Sequence, residues 1–275
     1  MRALESCGGE LALRVCSALV LVPLALGAAY LGGWPFAVLW GLAAMVVLWE
    51  WNSLVAGSDQ RIVLTTGGAS LALAIALVLT GHLLAAVIVL AISTLGVASL
   101  APAKRRTWIA AGVPYAGALG VAPIVLRSDN GEGFLAIIFL FAVVWTTDIA
   151  AYFAGRAIGG PKLMPRVSPN KTWSGAIGGI IGAVVAGLAV AQFFHLKLMP
   201  IAIVALVLSV VAQVGDLFES AVKRRFGAKD AGKLIPGHGG VMDRVDGFIA
   251  AAIVAAAVGV LHRGLGAAAH GLLLW

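Results

Sequence analysis

Asp216 and Glu219 stand three residues apart in an apolar stretch, and Asp243 and Asp246 repeat that spacing after a basic loop. Residues three apart on a helix share a face, so each pair sets two carboxylates side by side. Such a pair repels unless a cation lies between or near its members. Hard oxygen ligands at two helix ends suit Mg²⁺, which takes one or two carboxylates and fills its shell with water and phosphate oxygens. Lys223, Arg224, Arg225, Lys229 and Lys233 lie between the two pairs and offer contacts to anions. The glycines of Pro236-Gly237-His238-Gly239-Gly240 let the backbone come near a phosphate chain. A second anion pocket is expected where Ser168-Pro169-Asn170-Lys171-Thr172-Trp173 enters the next apolar stretch. Unpaired amides at a helix start, the helix dipole and Lys171 combine there, with Asn170 as the expected cap. Lys171, Lys223 and Arg224 are expected to hold substrate phosphates, since three cations beside a helix start would otherwise repel one another. The chemistry so described is metal-assisted transfer on phosphorylated substrates.

Other chemistries find little support. Cys7 and Cys16 have no metal-ligand spacing, and of five scattered histidines only His238 lies in the charged loop. Neither long loop is a Walker P-loop: G-x-x-x-x-G-K-[ST] is absent, and Gly155-Arg156-Ala157-Ile158-Gly159-Gly160 follows a helix, not a strand.

The elements that must hold these residues follow from composition. Of 275 residues, 61% are hydrophobic and 11% charged, and mean hydropathy is +1.02. A soluble chain carries about 25% charge, so lipid is the solvent for most of this one. That excludes a soluble enzyme, intrinsic disorder, a disulfide scaffold and a nucleic-acid partner. The net charge of +7 is confined to short loops, as suits anionic lipid headgroups or a phosphorylated substrate. The fold class expected is an all-α polytopic membrane protein.

Nine apolar stretches have the length of membrane helices: roughly 14–31, 35–56, 62–80, 83–101, 108–126, 133–154, 173–194, 199–222 and 245–262. The first is read as a retained helix, not a cleaved signal. This count leaves sixteen of the nineteen Lys and Arg on one side, and only Arg127, Lys197 and Arg263 on the other. By the positive-inside rule the N-terminus is cytoplasmic and the C-terminus extracytoplasmic. Residues 1–130 form an N-terminal set of about five spans. Residues 131–275 form a catalytic set with two cytoplasmic basic loops, 155–172 and 223–244. Gly175, Gly179 and Gly178, Gly182 make overlapping small-xxx-small patterns that let another helix approach the seventh span. Asp59, Asp129 and Glu132 read as ordinary solvated loop charges. Glu50 reads as an internal salt-bridge partner at a helix end. Asp148, Asp216, Glu219, Asp243 and Asp246 lie near membrane ends beside the basic loops, so acids and bases converge on one mouth.

These residues carry a resemblance. Ser220-Ala221-Val222-Lys223-Arg224, then Lys229-Asp230, then Pro236-Gly237-His238-Gly239-Gly240-Val241-Met242-Asp243-Arg244-Val245-Asp246 resembles the signature of the phosphatidate cytidylyltransferases, also called CDP-diacylglycerol synthases. The stretch spans 27 residues with every charged position in register. Asp148-x-x-x-Tyr152-x-x-Gly155-Arg156 and Ser168-Pro169-Asn170-Lys171-Thr172-Trp173-x-Gly175 agree with it. Ser174 departs from it, standing where the family commonly has Glu. The first ~130 residues resemble the family only in hydropathy and in Trp49-Glu50-Trp51.

The resemblance implies CTP + phosphatidate → CDP-diacylglycerol + pyrophosphate in the inner (cytoplasmic) membrane, by a polytopic homodimer among membrane lipids. It implies Mg²⁺, with room for a second metal ion, at Asp216 and Asp243. By the same implication Asp216, Lys223, Arg224, Lys229, Asp230, His238, Asp243, Arg244 and Asp246 are catalytic. Asp148, Tyr152, Arg156, Ser168, Lys171, Thr172 and Ser220 bind substrate. Two rival readings stay open from the residues alone. A transporter would place acids near the bilayer midplane, in interrupted helices and repeats. A CTP-dependent polyprenol kinase would transfer the γ-phosphoryl group and release CDP.

Overall fold

Backbone polar groups in lipid must find their partners within the chain, which favours helices throughout a sequence of this hydropathy. A computed structural model describes residues 2–55, 61–235 and 239–275, the side chains of 2–15 and Ile62 aside. It consists of α1 (Arg2–Leu31), α2 (Gly33–Val55), α3 (Arg61–Leu79), α4 (Leu83–Leu100), α5 (Arg106–Arg127), α6 (Gly133–Ile158), α7 (Trp173–Phe193), α8 (Leu198–Arg225), α9 (Met242–Arg263) and α10 (Ala268–Leu273). Each of the nine apolar stretches expected from the sequence falls on one of the helices α1–α9. Among the described residues, seven helices, α2 and α4–α9, are long and apolar enough to cross a membrane, and the apolar parts of α1 and α3 are shorter. The chain is an all-α polytopic membrane protein.

α5 is the most enclosed of these spans, because its glycines admit neighbours on several sides. A Cβ on Gly112 would lie 2.6 Å from the Trp51 ring, and one on Gly117 would lie 2.7 Å from Leu90. The Trp51 indole N–H donates to the Trp108 carbonyl at 2.7 Å and fixes α2 against α5. Trp40 of α2 stacks on Phe248 of α9 at 4.7 Å. The small-residue stripe of α7 meets α6 as expected: a Cβ on Gly175 would lie 2.8 Å from the Ala151 carbonyl oxygen, and one on Gly179 2.9 Å from that of Thr147.

Two details depart from the sequence reading. The 155–172 segment, expected as a loop, leaves α6 through Gly159 and Gly160, whose φ of +66° and +100° favour glycine. It then forms a hairpin of β1 (Lys162–Met164) and β2 (Ser168–Thr172), pairing Lys162 with Thr172 and Met164 with Ser168. Asp129, expected as a solvated charge, is buried instead. Its carboxylate accepts the amides of Gly131 at 3.1 Å, Glu132 at 3.4 Å and His270 at 2.9 Å, and so docks α10. Asp59 lies outside the described residues.

Candidate active site

α8 and α9 cross closely where each has a glycine. A Cβ on Gly215 would lie 2.9 Å from the Asp246 carbonyl oxygen, and one on Gly247 3.0 Å from that of Ala212. The crossing brings Asp216 and Asp246 within electrostatic reach of each other and of Asp148 on α6. Thr147 Oγ1 lies 2.9 Å from Ser209 Oγ in the buried α6–α8 contact. Gln213 donates to the Ala176 carbonyl at 3.2 Å and ties α8 to α7. The C-terminal ends of α6 and α8, the N-terminal ends of α7 and α9 and the hairpin thereby enclose a cavity of about 810 Å³. Five aspartates (148, 216, 230, 243 and 246) line it, as do the cations Arg156, Lys162, Lys171, Lys223 and Arg244.

Charges of opposite sign are paired across elements here. Lys171 of β2 forms an ion pair with Asp216 of α8, both about three-tenths exposed. Ser220 Oγ donates to Asp216 Oδ1 at 3.4 Å. Lys223 Nζ lies 2.6 Å from both Glu219 Oε2 and Asp243 Oδ1. That triad is deeply set: the lysine side chain is 12% exposed, Asp243 6% and Glu219 0%. Asp243 also accepts the amides of Ala231 at 3.0 Å and Gly240 at 2.8 Å. Arg156 Nη1 donates to the Tyr152 hydroxyl at 3.2 Å.

The donors fit a hard divalent cation best around Asp216. Its carboxylate opens onto the cavity, Asp148 and Asp246 add negative charge nearby, and every candidate ligand is a hard oxygen. No three His, Cys, Asp or Glu among the described residues already form a ligand set. A metal here would therefore draw on water and substrate phosphates for much of its shell, as Mg²⁺ commonly does. Asp243 is more heavily engaged, with one oxygen on Lys223 and both close to backbone amides.

Of the residues singled out from the sequence, Asp148, Tyr152, Arg156, Lys171, Thr172, Asp216, Lys223, Asp230, Asp243, Arg244 and Asp246 line this one cavity. Ser168, Ser220, Arg224 and Lys229 stand off its wall. Arg224 is exposed and donates to the Val167 and Ala228 carbonyls at 3.3 and 3.2 Å, joining the hairpin to the end of α8. His238 lies outside the described residues. The α7 cap is Thr172, whose Oγ1 accepts the Gly175 amide at 3.1 Å, and not Asn170. The expected repulsion among Lys171, Lys223 and Arg224 is also overturned, because the two lysines each have a carboxylate partner.

Sequence reasoning missed three contributors. Lys162 and Gln213 line the cavity, and only the hairpin and the α7–α8 contact reveal them. Glu50 is the third. Among the described residues it has no ion-pair partner: its fully buried carboxylate accepts the Val241 amide at 3.0 Å and the Met242 amide at 2.7 Å, at the start of α9. Ser174, the departure from the family pattern, donates to the Gly159 carbonyl and so closes the turn after α6.

Comparison with known proteins gives a consistent picture. A family model described as the cytidylyltransferase family matches residues 12–262. The chain is 46% identical over 250 residues to a phosphatidate cytidylyltransferase of Brucella suis biovar 1 (strain 1330), covering 87% of this chain and 89% of that one. It matches one from Brucella abortus (strain 2308) with the same identity and coverage. A phosphatidate cytidylyltransferase of Staphylococcus saprophyticus is 44% identical over 133 residues, which is 48% of this chain and 51% of that one.

Proposed function

The chain belongs to the cytidylyltransferase family, and from that premise we propose that it transfers the cytidylyl group of CTP to phosphatidate, giving CDP-diacylglycerol and pyrophosphate. The reaction takes place at the cytoplasmic face of the inner membrane, in a homodimer surrounded by lipid. Residues 131–275 carry the chemistry and residues 1–130 frame it. The observation that carries this reading is the cavity at four membrane-helix ends, where five carboxylates meet five cations. A lipid phosphate reaches that depth from the bilayer, and a soluble nucleotide reaches it from water.

The chemistry asks little of a general base. A phosphate monoester has its second ionisation near pH 6, so phosphatidate is largely a dianion at neutral pH. One of its oxygens attacks the α-phosphorus of CTP, the bond from that phosphorus to the β-phosphate oxygen breaks, and pyrophosphate leaves in line. The obstacle is bringing two polyanions together. Lys171, Arg156 and Arg244 neutralise phosphate charge from the cavity wall. Lys223 stands where it can move between its two carboxylates and an arriving phosphate. Asp216 and Asp243 would hold Mg²⁺, which would supply further charge neutralisation and alignment of the phosphates. Asp148, Asp230 and Asp246 keep the cavity acidic enough to attract that cation. Tyr152 orients Arg156, and Thr172 and Ser220 hold Lys171 and Asp216 through their local structure. Arg224 joins the hairpin to the end of α8, and Lys229 and His238 act in catalysis and Ser168 in substrate binding, as the family signature implies.

Purified protein given CTP, phosphatidate and Mg²⁺ should release pyrophosphate and CDP-diacylglycerol in equal amounts. Release of CDP with a phosphorylated lipid alcohol would instead mark γ-phosphoryl transfer. Absence of both products from folded protein would overturn the reading.

A further inference from the structure

We infer that Glu50, on the second membrane helix, is a positioning residue that holds the first turn of α9 and thereby sets Asp243 at the cavity. A carboxylate with no solvent exposure in an apolar protein is costly unless strong partners offset the cost. Glu50 finds them in two backbone amides, Val241 at 3.0 Å and Met242 at 2.7 Å. These are amides that a helix start leaves without an internal partner. The cap position of α9 is Val241, whose side chain has no oxygen to offer. α2 therefore supplies the missing acceptor from 191 residues away in the chain. The next amide back, Gly240, goes to Asp243 at 2.8 Å, and Asp243 in turn meets Lys223. Glu50, the α9 turn, Asp243 and Lys223 thus form one connected chain of contacts.

Two glycines support the assignment independently. A Cβ on Gly232 would fall 2.6 Å from Glu50 Oε1, and one on Gly240 would fall 2.6 Å from the same atom. The loop carries no side chain at the two points where its backbone closes over this carboxylate. A buried acid serving only to neutralise a helix end would need no such clearance. Glu50 does not line the cavity, and neither do Val241 and Met242, whose amides it accepts, so its action passes through the backbone to Asp243.

The inference rests on the proposed reaction for its kinetic readout, and has a second readout that does not. Glu50→Gln keeps one acceptor and turns an amide NH₂ toward a backbone N–H. It should lower kcat by about 10–100-fold, the usual cost of removing a support behind a ligand, with KM for phosphatidate nearly unchanged. Lys229 and Lys233 are exposed, so trypsin should cut there faster in the variant. Gly232→Ala leaves Glu50 in place but presses on it, and should reproduce both effects should Glu50→Gln not fold. Wild-type kcat and wild-type cleavage in both variants would overturn the inference. So would a lowered melting temperature with normal turnover per folded molecule. Faster cleavage in the variants, with a wild type inactive on CTP and phosphatidate, would uphold the positioning role and reject the reaction.

Discussion

Lys223 Nζ stands 2.6 Å from Asp243 Oδ1, so one charge pair joins the last turn of α8 to the first turn of α9 across the basic loop. The same ammonium lies 2.6 Å from Glu219 Oε2, whose side chain is fully buried. The lysine is therefore a structural counter-charge as well as a cation at the cavity.

Removing that lysine should cost stability. Lys223→Met would leave Glu219 and Asp243 close together without their common partner. Breaking a buried pair by deleting one member typically costs about 3–5 kcal/mol. Thermal melting in detergent should show a lowered midpoint, and turnover should vanish. Lys223→Met with Glu219→Gln should recover much of the midpoint and little of the turnover. A single variant that melts like wild type would show that the two acids need no counter-charge.

Asp216 has a different surrounding, open to the cavity and paired with Lys171. Asp216→Asn keeps the shape and removes the charge. Losing one electrostatic contact to the reacting groups costs about 10²–10³ in rate. Turnover should fall at least about a hundredfold, most steeply at limiting Mg²⁺. Chelation of Mg²⁺ should stop the wild-type reaction, and added Mg²⁺ should restore it. Near-normal activity of Asp216→Asn at limiting Mg²⁺ would remove Asp216 from the metal's shell.

How much of this was legible in the sequence depends on whether the signal was local. The apolar stretches that became α1–α9 are local, and so is the glycine stripe of α7. Spacing placed Asp216 and Asp246 near one mouth, and the α8–α9 crossing at Gly215 and Gly247 brings them together. The hairpin of 162–172 was hidden because three- and five-residue strands with polar residues give no alternation to read. Thr172 and Asn170 are both good caps two positions apart, and only the backbone decides between them. Glu50 was misread because its partners are main-chain amides far along the sequence, and amides leave no trace in residue type.

Where the cations fall predicts the orientation in the membrane. Arg156, Lys171, Lys223 and Arg244 share the cavity end of the bundle. Arg127 and Arg263 close the opposite ends of α5 and α9. With the cavity cytoplasmic, an alkaline phosphatase fused after Trp275 should be active and a green fluorescent protein fused there should be dark. The reverse result would put the C-terminus in the cytoplasm and the cavity on the other side.

The start of α7 offers a direct choice between two adjacent polar residues. Thr172 Oγ1 accepts the Gly175 amide at 3.1 Å, and its side chain is buried against the Gly155 turn of α6. Asn170 is exposed, lines the cavity and has no part in that cap. Thr172→Ala removes the cap, at a cost of about 1 kcal/mol. In a domain of this size that lowers the melting midpoint by roughly 2–4 °C. It should do so equally with and without CTP. Asn170→Ala should leave the midpoint unchanged without nucleotide and reduce the rise that CTP produces, because its amide faces the cavity and not the helix. Stability lost with Asn170→Ala and retained with Thr172→Ala would return the cap to Asn170 and leave Thr172 as a substrate contact.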